Sequence, residues 1–344
     1  MNTNSKKIII LKILDILKQH SDVNHRLSQK DILDYLKKDY GIVVNRKTIS
    51  SNLEDLIIDG TYEIQYSEEI RGKGKNKQVV KKDFWYCSDF DDSELRLIID
   101  SLLFSKYIPY NQCKNLIQKI SNLTSEYFQS RIKYVKTVQS TEKRNQELFL
   151  TIDVVDDAIK NNKKILFNYY NYNVKKELEP RLNQNGKPKE YIVNPFFLVA
   201  TNSRYYLVCN NQGKIGINIY LADRIKNAKV LDEKAIPKAE MNKMLKQTPL
   251  PKYVMEHIYM TLGDSTNVTF EFDKKQINAM IEWFGNDIVL KEKDKDTYIA
   301  QIFVNKKAIK YFAMQYSQFV KIVSPKSLVE DMREITKKAY ELYK

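Results

Sequence analysis

Between Ile192 and Ile225 the chain reads IVNPFFLVATNSRYYLVCNNQGKIGINIYLADRI, and no other stretch restricts the fold so tightly. The apolar and aromatic runs NPFFLV and RYYLV are separated by breaks bearing Asn, Ser and Gly. That is the pattern of strand, turn, strand, turn, strand. The stretch closes on Asp223-Arg224-Ile225. Just before it, KKILFNYYNYN sets Ile165, Phe167 and Tyr169 on one face of an alternating strand. Asn183 to Lys189, with Gly186 and Pro188, reads as a hairpin turn. A helix over about 145–161 carries Leu148, Ile152, Val155 and Ile159 at helical spacing. The middle of the chain is therefore expected to be a small, strongly bent sheet with one helix packed on it.

The N-terminal quarter has a different period. Residues 6–20 place Ile10, Ile13, Leu14 and Leu17 on one helical face. Ser28 opens S-Q-K-D, a pattern like a capping box, ahead of Ile32, Leu33 and Leu36, and Gly41 ends that helix. Asn45 is a suitable N-cap for a third helix, whose buried stripe is Ile49, Leu53, Leu56 and Ile57. Lys47 and Ser51 lie opposite that stripe, and Arg46, Thr48 and Ser50 belong to its N-terminal turns. Three short helices with a polar, basic third one form a helix-turn-helix arrangement, in which the third helix offers its N-terminal side chains to base edges. Tyr62, Ile64 and Tyr66 then alternate as a strand, and Phe84 to Tyr86 form another. Between them, IRGKGKNKQVVKK supplies two glycines for a tight turn and a dense positive edge that includes Arg71, Lys73, Lys75 and Lys77. A wing of that composition suits the phosphate backbone of a duplex.

Charge agrees with such a partner. The net charge of +14 favours a polyanion. With 43% hydrophobic and 29% charged residues the chain is globular rather than disordered, and 344 residues suffice for several cores. Cys87, Cys113 and Cys209 lie far apart with no C-x-x-C pattern, so neither a disulfide framework nor a zinc site is expected. Lys12 and Asp15 interrupt the run IIILKILDIL, which reads as an amphipathic helix and not a signal peptide. No run approaches the roughly 20 apolar residues that span a bilayer, so no membrane partner is expected and a cytoplasmic, nucleoid-associated location is. His20, His25 and His257 show no metal-ligand spacing, and neither G-x-S-x-G nor G-x-G-x-x-G after a strand occurs. Nine glycines leave little for cofactor loops. The chain is expected to be no enzyme and to need no cofactor or metal.

Two further regions complete the plan. Residues 91–130 are helical: Leu95, Ile98, Ile99 and Leu102 lie at helical spacing, Pro109 breaks the pattern, and a second helix carries Leu116, Ile117, Ile120, Leu123 and Phe128. These helices are expected to hold the N-terminal unit and pair two protomers. After a connector over 238–262, strands, helices and strands follow in the order βαββαβ, which is ferredoxin-like. One face of its first strand is Val268, Phe270 and Phe272, and one face of its first helix is Ile277, Met280, Ile281 and Phe284.

The order of the central strands resembles the WYL domain of bacterial transcription regulators. Arg204-Tyr205-Tyr206-Leu207 occupies the place of the Trp-Tyr-Leu motif, with Tyr205 for the tryptophan, and Asp223-Arg224-Ile225 the place of the closing triplet. The flanking regions resemble the winged helix-turn-helix that precedes such domains and the WCX-like extension that follows them. The resemblance implies an α+β multidomain chain: a winged helix-turn-helix over 1–88, a helical connector and dimerisation region over 89–142, an SH3- or Sm-like barrel (WYL) over 143–237, and a ferredoxin-like domain over 238–344. It implies a homodimeric regulator that binds double-stranded DNA, with repression favoured, and a nucleotide or nucleic-acid fragment as effector. By residue match the effector site is Tyr169, Asn194, Tyr206 and Arg224, edged by Arg204 and Tyr220. Leu221 stands where many members carry an arginine, which disfavours a multiply phosphorylated effector. The competing expectation is an accessory protein of a CRISPR-type antiviral system that binds single-stranded RNA or DNA and modulates a nuclease.

Overall fold

The computed structural model describes residues 6–72, 77–105, 108–132 and 145–344. They group into two units, 1–142 and 143–344.

The first unit begins with α1 (Lys6–His20), α2 (Gln29–Tyr40) and α3 (Arg46–Asp59). Ser28 caps α2 reciprocally with Asp31, each side chain accepting from the other's backbone N–H. Gly41 ends α2 at φ +66°, in the left-handed region that favours glycine. Asn45 caps α3 by accepting from Thr48 N at 2.8 Å. The expected stripes meet in one core: Ile13 and Leu17 from α1, Ile32 and Leu36 from α2, Ile49 and Leu53 from α3. A hairpin follows, β1 (Ile64–Arg71) against β2 (Gln78–Tyr86), antiparallel, with a bulge between Gln65 and Ser67. Phe84 anchors it, exchanging two 2.8 Å backbone hydrogen bonds with Leu27 and burying its ring in the helical core.

Helix α4 (Asp92–Phe104) is capped by Asp91 and Glu94 and packs on α5 (Tyr110–Ser121). Two expectations fail here. Ile98 is exposed, because the packed edge runs through Leu95, Ile99 and Leu103 at i, i+4, i+8 and Ile98 falls on its flank. The expected second helix is two helices, α5 and α6 (Glu126–Ile132). The Ser121 hydroxyl bonds back to Ile117 O at 2.7 Å, α5 ends there, and Leu123 is exposed in the turn that follows.

The second unit opens with α7 (Leu148–Lys160). Six strands follow: β3 (Lys163–Tyr172), β4 (Leu178–Pro180), β5 (Glu190–Thr201), β6 (Arg204–Asn211), β7 (Asn218–Leu221) and β8 (Ile225–Lys234). Ile165 to Asn168 pair with β5 and also lie along β8, so β3 is bordered on both edges and the order runs β8-β3-β5-β6-β7. A short 3-10 turn, Ala222–Arg224, joins β7 to β8 across that whole width. Laid flat, five strands would separate those two by about 19 Å. The four-residue step from Leu221 to Ile225 reaches about 14 Å at most. The sheet must therefore curl. Its inner face holds Ile165, Phe167, Val193, Leu207 and Tyr220 against Val155 and Ala158 of α7. Phe196, Val199, Val208 and Met260 form a second cluster on the other face.

Helices α8 (Lys238–Met244) and α9 (Leu250–Glu256) lead to β9 (Ser265–Asp273), α10 (Ile277–Phe284), β10 (Val289–Glu292), β11 (Thr297–Asn305), α11 (Lys306–Gln315), β12 (Val320–Ser324) and α12 (Lys326–Glu341). The sheet order is β10-β11-β9-β12, all antiparallel, as the βαββαβ reading requires. Phe270, Phe272, Phe284 and Phe312 fill its core. Ile281 does not join them. It is exposed, one position past the buried Met280.

Candidate nucleic-acid interface

In the first unit the outward side of α3 carries Arg46, Lys47, Ser50 and Ser51, all exposed, while Ile49, Leu53 and Leu56 hold the opposite side in the core. The helix N-terminus adds its own partial positive charge at this end. Arg46 is steadied by Gln29, its Nε donating to Oε1 at 2.9 Å. Thr48 differs from its neighbours. It is half-buried, and its hydroxyl donates to Asn45 Oδ1 at 2.9 Å, so it completes the cap rather than facing outward. Further along, Glu54 and Asp55 are exposed, and Glu54 pairs with Lys81 at 3.3 Å. The cationic character is confined to the first two turns.

On the hairpin, Arg71 is held by Glu69 at 2.9 Å, and the Arg71 hydrogen bond draws the Glu69 carboxyl below its ordinary range. Lys77 is exposed, whereas Lys73 and Lys75 lie outside the described residues. One cation escaped the sequence reading. Arg26 lies over the Trp85 ring at 4.2 Å and donates to Ser67 Oγ at 3.1 Å, presenting its charge on the hairpin's flank. Nothing local in the sequence marks it, since Trp85 comes near only through the Leu27–Phe84 pairing.

In the second unit the rings of Tyr169, Tyr191 and Tyr220 converge, with Tyr169 and Tyr220 5.0 Å apart and Tyr191 and Tyr220 5.5 Å apart. Cations cover the outer edge: Arg181 lies 4.8 Å from the Tyr169 ring, Lys189 5.2 Å from Tyr191 and Arg224 5.9 Å from Tyr172. Burial pushes the Tyr169 phenol up, and the Leu221 N–H bonded to its oxygen at 3.3 Å, with the charges of Arg224 and Arg181, offsets only part of that. Burial also pushes Tyr220 up to about 12, against the opposing effect of its hydrogen bond with Asn211. Both phenols are neutral at physiological pH. Arg224 is half-buried, and its Nε is sequestered with no hydrogen-bond partner among the described residues.

The structure therefore brings Tyr169, Tyr220 and Arg224 together and separates them from the rest of the expected effector site. Alternation along β6 turns Arg204 and Tyr206 to the same side as Val208, and Tyr206 packs in the outer cluster with Phe196 and Met260. Asn194, only 2% exposed, follows the inward Val193 and points the other way. Its amide donates to Asn210 Oδ1 at 3.1 Å and accepts from Ile236 N at 3.0 Å, tying β5 to the segment after β8. The residues that sequence reading missed are Arg181, Lys189, Tyr172 and Tyr191. The signal was present: Arg181 lies just before the turn and Lys189 at its end, and four tyrosines lie on β3 and β5.

Residues 151–230 match the WYL domain family, so the chain contains a WYL domain. No curated protein matches the chain. Among solved structures, similarity extends to proteasome accessory factor B/C (PafBC) of Arthrobacter aurescens, at 14% identity over 96% of this chain and 48% of that one, with a TM-score of 0.28. It extends also to a CRISPR Cas-related protein, at 16% identity over 100% of this chain and 87% of that one, with a TM-score of 0.35. The chain thus spans about half the length of the first. Among the described residues no helix is long and apolar enough to cross a membrane, and no group of His, Cys, Asp and Glu side chains could hold a metal ion.

Proposed function

We propose that the protein is a sequence-specific regulator of transcription, acting as a homodimer in the cytoplasm on double-stranded DNA, with repression as its mode. In this reading residues 6–86 work as a winged helix-turn-helix, the C-terminal domain is ferredoxin-like, and no catalytic step is assigned. The WYL domain senses a nucleotide or a nucleic-acid fragment at Tyr169 and Arg224. The observation that carries the proposal is the outward face of α3, where Arg46, Lys47, Ser50 and Ser51 stand exposed beside a hairpin anchored by Phe84. Such a helix end reads base edges in a major groove while the hairpin neutralises phosphates. An effector changes DNA affinity only if it binds two conformations of the dimer unequally.

Selection of bound fragments from random duplexes, followed by competition between duplex and single-stranded forms of the selected site, tests this. Lys47→Ala or Ser51→Ala is expected to cost about 1–3 kcal/mol on the preferred site and to relax preference at one position. Replacing Lys73, Lys75 and Lys77 together is expected to weaken all duplexes alike. It should reduce the slope of log affinity against log salt by roughly one for each phosphate no longer neutralised. An unchanged slope removes the hairpin from the mechanism, and sedimentation as a monomer at micromolar concentration removes the dimer.

A second reading, an accessory protein of an antiviral system that binds single strands, draws on the exposed Arg181 and Lys189 over tyrosine rings. Cations beside aromatic faces suit unpaired bases. Tighter binding to single strands than to the selected duplex would favour it.

A further inference from the structure

A cavity of about 610 Å³ lies in the second unit, where the turn after β6 meets α8, α9 and the start of β9. It shares no lining residue with the tyrosine cluster, and its volume is in the range of small-molecule sites. Ile217, Leu245 and Phe303 supply apolar wall. Into this setting α9 delivers Tyr253, Glu256 and, at its C-cap, His257, all lining the cavity and all buried.

Glu256 is the informative residue. The residue is 7% exposed and lines the cavity, and among the described residues its carboxylate takes no hydrogen bond and no ion pair. The nearby lysines do not serve it: Lys246 is spent on Asp264 at 2.7 Å, and Lys252 stands exposed at the rim. A carboxylate that opens onto a cavity of this size can take a cation or a pair of N–H donors from a ligand. The neighbouring imidazole is fixed in place. His257 Nδ1 lies 2.8 Å from the Tyr253 carbonyl oxygen, which can only accept, so Nδ1 carries a proton. The ring lies flat on Tyr253, 4.0 Å between centroids and 19° between planes. Burial and the Glu256 charge push the Tyr253 phenol up to about 12, so it brings no competing negative charge.

We propose that this cavity binds a small molecule presenting a planar N–C–N edge, with two parallel N–H donors directed to Glu256. A point-like ammonium is a poorer match, because it is strongly hydrated and cannot engage both carboxylate oxygens in one plane. Two sources carry the required edge: a guanidinium on an aliphatic chain, and a guanine base, whose phosphate would reach Lys252. The inference does not rest on the DNA-binding reading.

Calorimetric titration of the full chain with agmatine and, separately, with guanosine 5′-monophosphate tests it. Putrescine and adenosine 5′-monophosphate, which lack the edge, are the controls. One of the first two is expected to bind one to one with Kd below about 1 mM. Glu256→Gln should weaken that binding at least about tenfold, as expected when a charge-assisted pair is removed. Leu262→Trp, which fills the mouth from an exposed position, should abolish it. Agmatine binding identifies the guanidinium source, and nucleotide binding the guanine source. Failure of both probes, equal binding of a control, or affinity retained in Glu256→Gln overturns the proposal. If circular dichroism shows that Glu256→Gln does not fold, retained binding in Leu262→Trp overturns it instead.

Discussion

Replacing Phe84 with alanine is expected to cost the first unit about 3–5 kcal/mol of stability, the range for emptying a well-packed aromatic site. It should also remove duplex binding. Phe84 is 2% exposed and lies within the cluster that joins α1, α2 and α3. Its ring sits 6.3 Å from that of Tyr66, so it braces both strands of the hairpin, and its backbone is paired with Leu27. The surrounding helices are tied by their own caps and cannot collapse fully into the gap, so both the transfer and the cavity contributions apply. Without the ring, the hairpin keeps its ladder but loses its fixed position beside α3. Chemical denaturation followed by far-ultraviolet circular dichroism measures the first effect, and duplex titration of protein confirmed as folded measures the second. Val79→Ala, an exposed position on the same strand, is the comparison and should cost no more than about 0.5 kcal/mol. A Phe84→Ala protein as stable as the Val79 variant would mean that the hairpin is not held by this ring.

Positions whose burial depends on local period were legible in the sequence. Ile165, Phe167 and Tyr169 share the inner face of β3 as alternation demanded, and Val268, Phe270 and Phe272 do the same in β9. Ser28 and Asn45 cap helices because their short oxygen-bearing side chains reach the first free N–H groups. What failed needed information from elsewhere in the chain. Ile98 and Ile281 have the right spacing to be buried, but how much of an apolar stripe is covered depends on the breadth of the neighbour, which period does not encode. In the WYL domain the relative faces of Tyr206 and Tyr220 depend on register. Tyr220 stands opposite the inward Leu207, so one further residue in the turn between β6 and β7 would have reversed the assignment. A bulge between Pro195 and Phe197 shifts β5 as well. Arg181 and Lys189 escaped for a related reason: a turn was expected there, but not that it would bring both cations back over the tyrosines of β3 and β5.

Arg224→Ala is expected to separate stability from ligand response in opposite directions. In most half-buried arginines truncation removes satisfied hydrogen bonds. Here the Nε–H is sequestered without an acceptor among the described residues, a situation that costs the folded state about 1–3 kcal/mol. Removing the side chain relieves that cost and gives up an attraction to the Tyr172 ring at 5.9 Å, a distance at the outer limit for such pairs. The thermal midpoint without ligand should therefore stay level or rise slightly. An anion set before Arg224 would bond the outer N–H groups of its guanidinium, so loss of the guanidinium should weaken nucleotide or oligonucleotide binding by about 1.5–3 kcal/mol, the contribution of a hydrogen bond to a charged partner. Arg224→Lys keeps the charge but not the planar donor fork and should fall between the two. The tyrosines set the pH range of the test. A raised phenol pKa means that the neutral form persists into alkaline solution, so Tyr169 and Tyr220 add no negative charge against the ligand from neutral pH up to about pH 10. Binding should be flat across that range, as measured by fluorescence anisotropy of a labelled single-stranded oligonucleotide. A variant with unchanged anisotropy titration would place the ligand elsewhere on the domain. A midpoint lowered by several degrees would show that Arg224 holds the turn between β7 and β8 in place, and its orphaned N–H would then have to be explained by packing alone.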